Sequence, residues 1–312
     1  MIITVTLNPA LDKTAKLDEL QVGELNRLQD MVVDIAGKGI SVARMVSVLG
    51  ETPLTTGFMG QGNGEYIIKT LDELKIPSNF VRVKGDIRTN LKVIDKKGCL
   101  TEINEPGIFV TESDELKLFE QLAKKATPDT IFVLSGSRCQ GVDTEIYARM
   151  IRLIHHQGSK AYLDVDGEAF EAAILEKPDF IKPNRHELLE FFKVKGDLNL
   201  IELKELCQQF LQKGIPQMAL SMGAEGAMFL REDKCVYGKG LKVTCRSPVG
   251  AGDSIVAAIA YGTKRKLSWE EMARLAIAAS AGAVTTEGTK PPSIEVIEKL
   301  LLQVELEDLS AG

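Results

Sequence analysis

Short apolar runs alternate with amphipathic stretches of helical length along almost the whole chain. Ile2–Leu7, Leu54–Phe58, Thr130–Ser135, Lys160–Asp164, Phe180–Lys182, Met218–Ser221 and Ala227–Leu230 read as strands. Ser41–Leu49, Tyr66–Leu74, Leu116–Ala126, Glu145–His156, Glu187–Phe192, Leu203–Lys213, Asp253–Gly262, Trp269–Val284 and Ile294–Leu302 read as helices. Strands that alternate with helices build βαβ units, so the expected fold is α/β, with a doubly wound, mostly parallel sheet flanked by helices. Two stretches break the rhythm. Lys13–Val33 is long and polar, without a helical stripe. Arg88–Glu105 reads as two strands, Asn90–Ile94 and Cys99–Asn104, around a turn at Asp95–Gly98. Neither fits a βαβ unit. Segments 13–33 and 87–106 are therefore expected to leave the sheet and pair as a small β-lid over the crevice where such folds bind ligands.

Composition narrows the function. There are 38 Lys and Arg against 44 Asp and Glu, a net charge of −6. That balance argues against a general nucleic-acid binder, which needs a basic face to neutralise phosphates. No run reaches 18 apolar residues, so no membrane span is expected. The five cysteines are scattered and form no CxxC pair, which disfavours a zinc or redox motif. With no export signal recognisable at the start, a cytoplasmic location is expected.

The most informative run is Pro248-Val249-Gly250-Ala251-Gly252-Asp253-Ser254, followed by an apolar helix. Its two glycines admit close backbone approach by a ligand. N–H groups at a helix start then favour an anion such as phosphate. Asp253 in that position reads first as a helix N-cap and second as a base that takes a proton from an attacking hydroxyl. Other candidates fail on spacing. Gly60-Gln61-Gly62-Asn63-Gly64 lacks the dinucleotide-loop spacing. Asp164-Val165-Asp166-Gly167 lacks the Glu of a calcium loop.

Five motifs in a fixed order resemble the PfkB/ribokinase family of sugar kinases, in its 1-phosphofructokinase and tagatose-6-phosphate kinase branch. They are Thr6-Leu7-Asn8-Pro9-Ala10-Leu11-Asp12, Ala36-Gly37-Lys38-Gly39-Ile40-Ser41, Lys182-Pro183-Asn184-Arg185-His186-Glu187, Ser221-Met222-Gly223-Ala224-Glu225-Gly226 and Val249–Ser254. The resemblance spans nearly the whole chain and implies a single ribokinase-like domain over 1–312. It further implies ATP-dependent phosphorylation of a ketohexose monophosphate with Mg²⁺, foremost fructose 1-phosphate to fructose 1,6-bisphosphate. Tagatose 6-phosphate and fructose 6-phosphate are alternative substrates. A catalytically silent sugar-phosphate sensor is the rival from another class, although a sensor has no need of a base such as Asp253.

Residue by residue, the resemblance makes Asp253 the base and Gly250, Ala251 and Gly252 an anion hole. Asp12, Gly37, Lys38, Gly39, Ser41, Arg88, Asn90 and Ser137 would line the sugar-phosphate site, and Arg27 would be donated across a homodimer formed through the lid. Lys182, Asn184, Ser221, Gly223, Gly226, Gly252 and Gly288 would meet the nucleotide, with Gly288 as a backbone contact in the adenine pocket walled by 278–288. Asn184 and Glu187 would support Mg²⁺ through water, although Asn followed by Glu three residues on also reads as a helix capping box. The chain departs from the family pattern at Ser41, where Asn is frequent, and at Arg138-Cys139, which replace Leu-Pro. Arg138 is either a further phosphate ligand or a loop residue.

Overall fold

The computed structural model describes residues 1–310. The chain opens with β1 (Ile2–Thr6), β2 (Ala10–Lys16), β3 (Asp30–Ala36), α1 (Lys38–Val48), β4 (Leu54–Gly60), α2 (Glu65–Glu73), β5 (Ser78–Val83), β6 (Arg88–Ile94) and β7 (Leu100–Asn104). It continues through α3 (Glu112–Lys125), β8 (Ile131–Ser135), α4 (Ile146–His156), β9 (Lys160–Asp164), α5 (Gly167–Ala173), β10 (Phe180–Ile181), α6 (Arg185–Phe191) and α7 (Leu200–Gln212). It closes with β11 (Gln217–Ser221), β12 (Gly226–Arg231), β13 (Lys234–Lys239), α8 (Ala251–Arg265), α9 (Trp269–Ala283), α10 (Ile294–Leu301) and β14 (Leu306–Asp308).

Ten strands form one sheet in the order β14-β13-β12-β11-β10-β9-β8-β1-β4-β5. From β11 to β5 every neighbouring pair is parallel, and β12, β13 and β14 extend the sheet antiparallel. The sheet carries a core on each face. On one, Val5, Phe58, Phe132 and Leu163 pack under α2 to α7. On the other, Ile2, Val133, Phe180 and Phe229 pack under α1, α8, α9 and α10. Both faces are covered, so the central strands read as continuous β-branched and apolar runs rather than as an alternation. The α/β class with a mostly parallel sheet is as the sequence pattern requires.

Several helices start earlier than their apolar stripe. The first turns of α3, α6, α7 and α9 are held by capping boxes: Thr111 with Asp114, Asn184 with Glu187, Asn199 with Glu202, and Ser268 with Glu271. A cap is polar and precedes the buried face, so periodicity alone places α3 about one turn late. Strands β5, β13 and β14 and the short helix α5 go unread in the sequence. β13 is a mixed run, Lys-Cys-Val-Tyr-Gly-Lys, without a clean alternation.

The two arrhythmic stretches do leave the large sheet. β2, β3, β6 and β7 form a separate four-stranded sheet in the order β3-β2-β6-β7. β2 pairs antiparallel with β3 and parallel with β6, which sets Asp12 opposite Asn90 and Ala10 opposite Arg88. β2 begins at Ala10, earlier than the segment read from sequence, and so carries Asp12 into the small sheet.

One close approach limits the pairing of β1 with β4. Gly57 in β4 has φ +128°, and a Cβ there would stand 1.9 Å from the Thr6 carbonyl oxygen of β1. Backbone cannot yield as a side-chain tip can. Gly57→Ala is expected to destabilise the protein by about 3 kcal/mol. Urea unfolding checks this through a lower midpoint with an unchanged slope.

Candidate active site

All seven parallel strands end at one edge of the sheet, where open α/β folds bind ligands. The C-terminal ends of β9 and β10 bring Asp164 and Lys182 there, and the helices that follow the edge loops supply the rest. Asp164 is 2% exposed. It meets Lys182 Nζ at 3.2 Å and Lys38 Nζ at 3.4 Å, both through Oδ1. Its Oδ2 is buried with no hydrogen-bond partner among the described residues. The charges of Asp164, Asp253, Glu187 and Asp166 hold the Lys38 ammonium well above the usual lysine range. Lys38 thus bonds one carboxylate, Asp164, and feels the charge of three more.

Two glycine-led helix starts face this hollow. Gly37 caps α1 with φ +128°, and no side chain caps that helix. Gly39 lets α1 settle on β1, since a Cβ there would lie 2.4 Å from Thr6 Oγ1. Gly250 caps α8 in a left-handed conformation, φ +86°, again without a side-chain cap. Asp253 is therefore not the N-cap. It is the third residue of α8, inside the first turn. The backbone N–H groups of such a first turn have no intrahelical partners and favour an anion. Ala251 and Gly252 supply two of them, and Gly252 lies against Lys182, whose Cε and Nζ would be 3.2 Å from a Cβ at that position.

Asp253 is buried, and its carboxyl is pushed up to about 7. Loss of hydration is the main cause and the Asp164 charge the next; Lys38, Lys182 and a hydrogen bond with Ser41 act in the opposite direction. A carboxyl so placed exchanges its proton near neutral pH, which suits a general base. Ser41, the departure from the family pattern, reaches this carboxyl.

The small sheet supplies the facing wall. Asp12 is 6% exposed. Its Oδ1 accepts from Asn90 Nδ2 at 2.8 Å and its Oδ2 from Lys92 Nζ at 2.6 Å. Burial lowers the pKa of the Arg88 guanidinium, and the Asp12 charge opposes that shift. Arg88 Nε and Asn90 Oδ1 are buried without a partner among the described residues. Sequence reasoning missed Lys92. The strand alternation held the signal, because residues 88, 90 and 92 share one face. Asp34 fastens β3 to the body: it accepts from Arg44 Nη1 at 3.3 Å and from Thr289 Oγ1 at 2.9 Å. Between this sheet and the loops at 246–249 and 287–290 lies a cavity of about 480 Å³, lined by Asp12, Lys92, Val249 and Gly288 among others.

A second cavity, of about 440 Å³, begins at Ala251 and Gly252. Asn184, Ser221, Gly223 and Gly226 line its polar side; Leu241, Val243, Ile277 and Val284 give it an apolar wall. Gly288 does not line it. The 278–288 stretch contributes Ser280, Ala281 and Val284, but after α9 the chain turns towards the small sheet and sets Gly288 against Asp34. The Asn184–Glu187 motif forms a capping box, with Asn184 Oδ1 accepting from the Glu187 N–H at 2.9 Å and Glu187 Oε2 from the Asn184 N–H at 2.8 Å. The box engages one carboxylate oxygen of Glu187, and the charge of that group still acts on Lys38.

Other expected residues stand further out. Ser137 is exposed in the loop after β8, where Asn8 Nδ2 donates to its hydroxyl at 3.5 Å. Arg138 donates to the Val142 carbonyl at 2.9 Å, which makes it a loop brace. Arg27 is exposed in the connection between β2 and β3. No bond joins Arg27 to the other site residues among those described.

The pattern of the pfkB family of carbohydrate kinases matches residues 5–296. The chain belongs to that family. Among its relatives, the 1-phosphofructokinase of Vibrio cholerae is 34% identical over 309 residues, covering 99% of this chain and 97% of that protein. The tagatose-6-phosphate kinase of Staphylococcus epidermidis is 32% identical over 311 residues, covering 98% and 99%. Phosphofructokinase-2 of Escherichia coli, solved in complex with potassium, superposes with a TM-score of 0.91 at 28% identity, over 97% of this chain and 98% of that one.

A carboxyl raised in the fold favours the folded state while protonated. That contribution is complete below its ordinary value near 3.8 and is lost as pH rises through about 7. Asp253→Asn removes the penalty. The variant is expected to melt higher than the parent at pH 8, with a smaller gap at pH 5, because the difference vanishes only below about 3.8. Calorimetric scans at the two pH values measure it.

Proposed function

We propose that the protein transfers the γ-phosphoryl group of ATP to a free hydroxyl of a ketohexose monophosphate, with fructose 1-phosphate the favoured acceptor and fructose 1,6-bisphosphate the product. The observation that carries this reading is the buried Asp253 carboxyl, pushed up to about 7 in the first turn of the glycine-led helix α8. Asp253 takes the hydroxyl proton. The sugar oxygen then bonds to the γ-phosphorus, the bond to the bridging oxygen breaks, and ADP leaves. Backbone N–H groups at Gly250, Ala251 and Gly252 face the charge that builds on the phosphoryl oxygens. Phosphoryl transfer is mostly positioning and electrostatics, so such a cradle carries much of the rate.

The apolar cavity ends on Ala251 and Gly252, a route for adenosine that brings its phosphates to α8. Ser221, Gly223, Gly226 and Lys182 would attend those phosphates. Mg²⁺ fits beside them. Among the described residues no three His, Cys, Asp or Glu side chains converge to hold a metal directly, whereas Asn184 and Glu187 face the acidic hollow and can hold it through its water shell. The ion supplies charge neutralisation for the phosphates.

On the sugar side, Asp12 and Asn90 Oδ1 accept hydroxyls, with Gly37 and Gly39 admitting the ring and Ser41 and Ser137 at its margins. Arg88 and Lys38 supply cations for the existing phosphate. The small sheet would act as a lid. Val22, Leu25 and Ile103 are 94%, 75% and 58% exposed on it and its connection, which supports a homodimer formed lid to lid with Arg27 near the join. We take 1–312 as one kinase domain. Its free, scattered thiols suit a cytoplasmic setting.

Steady-state ADP release with Mg²⁺ and ATP on fructose 1-phosphate, tagatose 6-phosphate and fructose 6-phosphate tests the assignment. A hundredfold preference in kcat/KM, about 2.7 kcal/mol, identifies the sugar. Asp253→Asn should lower kcat by about 10³-fold, and the parent's kcat/KM should climb with pH to a plateau above about 7. Near-normal turnover of that variant removes Asp253 as the base. Arg88→Ala should raise KM for the sugar phosphate by about tenfold with KM for ATP unchanged. A Leu25→Asp chain should sediment as a monomer if the lid is the dimer contact.

A further inference from the structure

We infer that Lys92 is a positioning residue that lets an acidic hydroxyl-binding site accept an anionic sugar, acting through Asp12. This rests on the sugar-phosphate reading above and adds to it a residue that the family resemblance did not supply. Asp12 presents a difficulty on its own. A buried carboxylate suits sugar hydroxyls, because it accepts from them, but it repels a substrate that carries a phosphate. In a site of reduced dielectric that repulsion is far larger than in water.

The small sheet resolves it locally. Arg88, Asn90 and Lys92 project from one face of β6, two residues apart. Register puts Asn90 directly opposite Asp12 and Lys92 opposite Thr14, so Lys92 reaches back diagonally to Asp12. Its Nζ lies 2.6 Å from Asp12 Oδ2, with the Lys92 side chain 13% and that of Asp12 7% exposed. The two carboxylate oxygens are thereby fixed by different donors, Asn90 on Oδ1 and Lys92 on Oδ2, and the pair is close to neutral. Glu102, opposite Lys92 on β7, also lines the cavity but is exposed, so water screens its charge. Each carboxylate oxygen still has a lone pair for a hydroxyl. Arg88 is then left as the cation on this strand for the phosphate itself.

The test is a double-mutant cycle on the full-length protein, read as KM for fructose 1-phosphate or whichever sugar phosphate the parent turns over fastest. Lys92→Gln keeps a donor to Asp12 but removes the charge, and Lys92→Met removes both. Each should raise KM for the sugar phosphate at least tenfold, with kcat within threefold and KM for ATP unchanged. Lys92→Arg should restore most of the loss. Asp12→Asn combined with Lys92→Met should be no worse than Asp12→Asn alone, because there is no carboxylate left to neutralise. An unchanged KM in both neutral variants overturns the inference. So does a loss that adds to that of Asp12→Asn, which would make Lys92 a direct ligand, or a fall in kcat alone. If Lys92→Met melts early, the Gln variant carries the comparison. A parent enzyme inactive on every sugar phosphate would instead count against the functional reading, a separate result.

Discussion

Asp164 is the joint on which the candidate site hangs. One buried carboxylate oxygen holds two ammonium groups, one from the start of α1 and one from the end of β10. Breaking a buried pair by removing one partner typically costs about 3–5 kcal/mol, because the other charge stays stranded. Here the loss would spread further. Lys38 and Lys182 are the cations that moderate Asp253, and Lys182 packs on Gly252. The arrangement of α1, β9, β10 and α8 at the sheet edge therefore depends on a carboxylate that takes no part in the proposed proton transfer.

Asp253 shows how stability and function oppose each other at this edge. Its carboxyl is held near neutrality chiefly by burial, and every pH at which it is ionised is a pH at which the fold is weaker for containing it. The same physics would fit the proposed base to neutral water. On the opposite wall Asp12 is handled differently, with two donors on its two oxygens. Two buried acidic groups are thus given different surroundings.

Much of this was legible in the sequence. The strand–helix rhythm specifies the parallel sheet because βαβ crossovers bury both of its faces, and burial of both faces leaves continuous apolar runs such as Ile2–Thr6. The segments that leave the sheet betray themselves by breaking that rhythm. Asp253, the glycines before it and the Lys38 and Lys182 motifs stand together as the motif order implies. What stayed hidden was relational. Lys92 meets Asp12 only through a parallel strand pairing across 80 positions, which no local spacing reveals. Gly288 stands beside the small sheet because the chain beyond α9 is tied through Thr289 to Asp34, a contact between distant segments. The capping box at Asn184 and Glu187 was visible, and the structure shows that one motif can close a helix start while its charge still reaches the hollow beside it.

The large sheet also has to end somewhere, and at one margin it ends on β14, three residues long. Its sequence, Leu306-Glu307-Asp308, pairs with β13 through residues 236–238. An open strand edge is a template on which another chain can add, and short, charged edge strands discourage that addition. Two adjacent carboxylates at this margin would place like charges side by side if a second copy tried to extend the sheet. The polypeptide that follows α10 therefore serves as a selvedge: it finishes the weave, so that this margin of the large sheet does not invite a further strand.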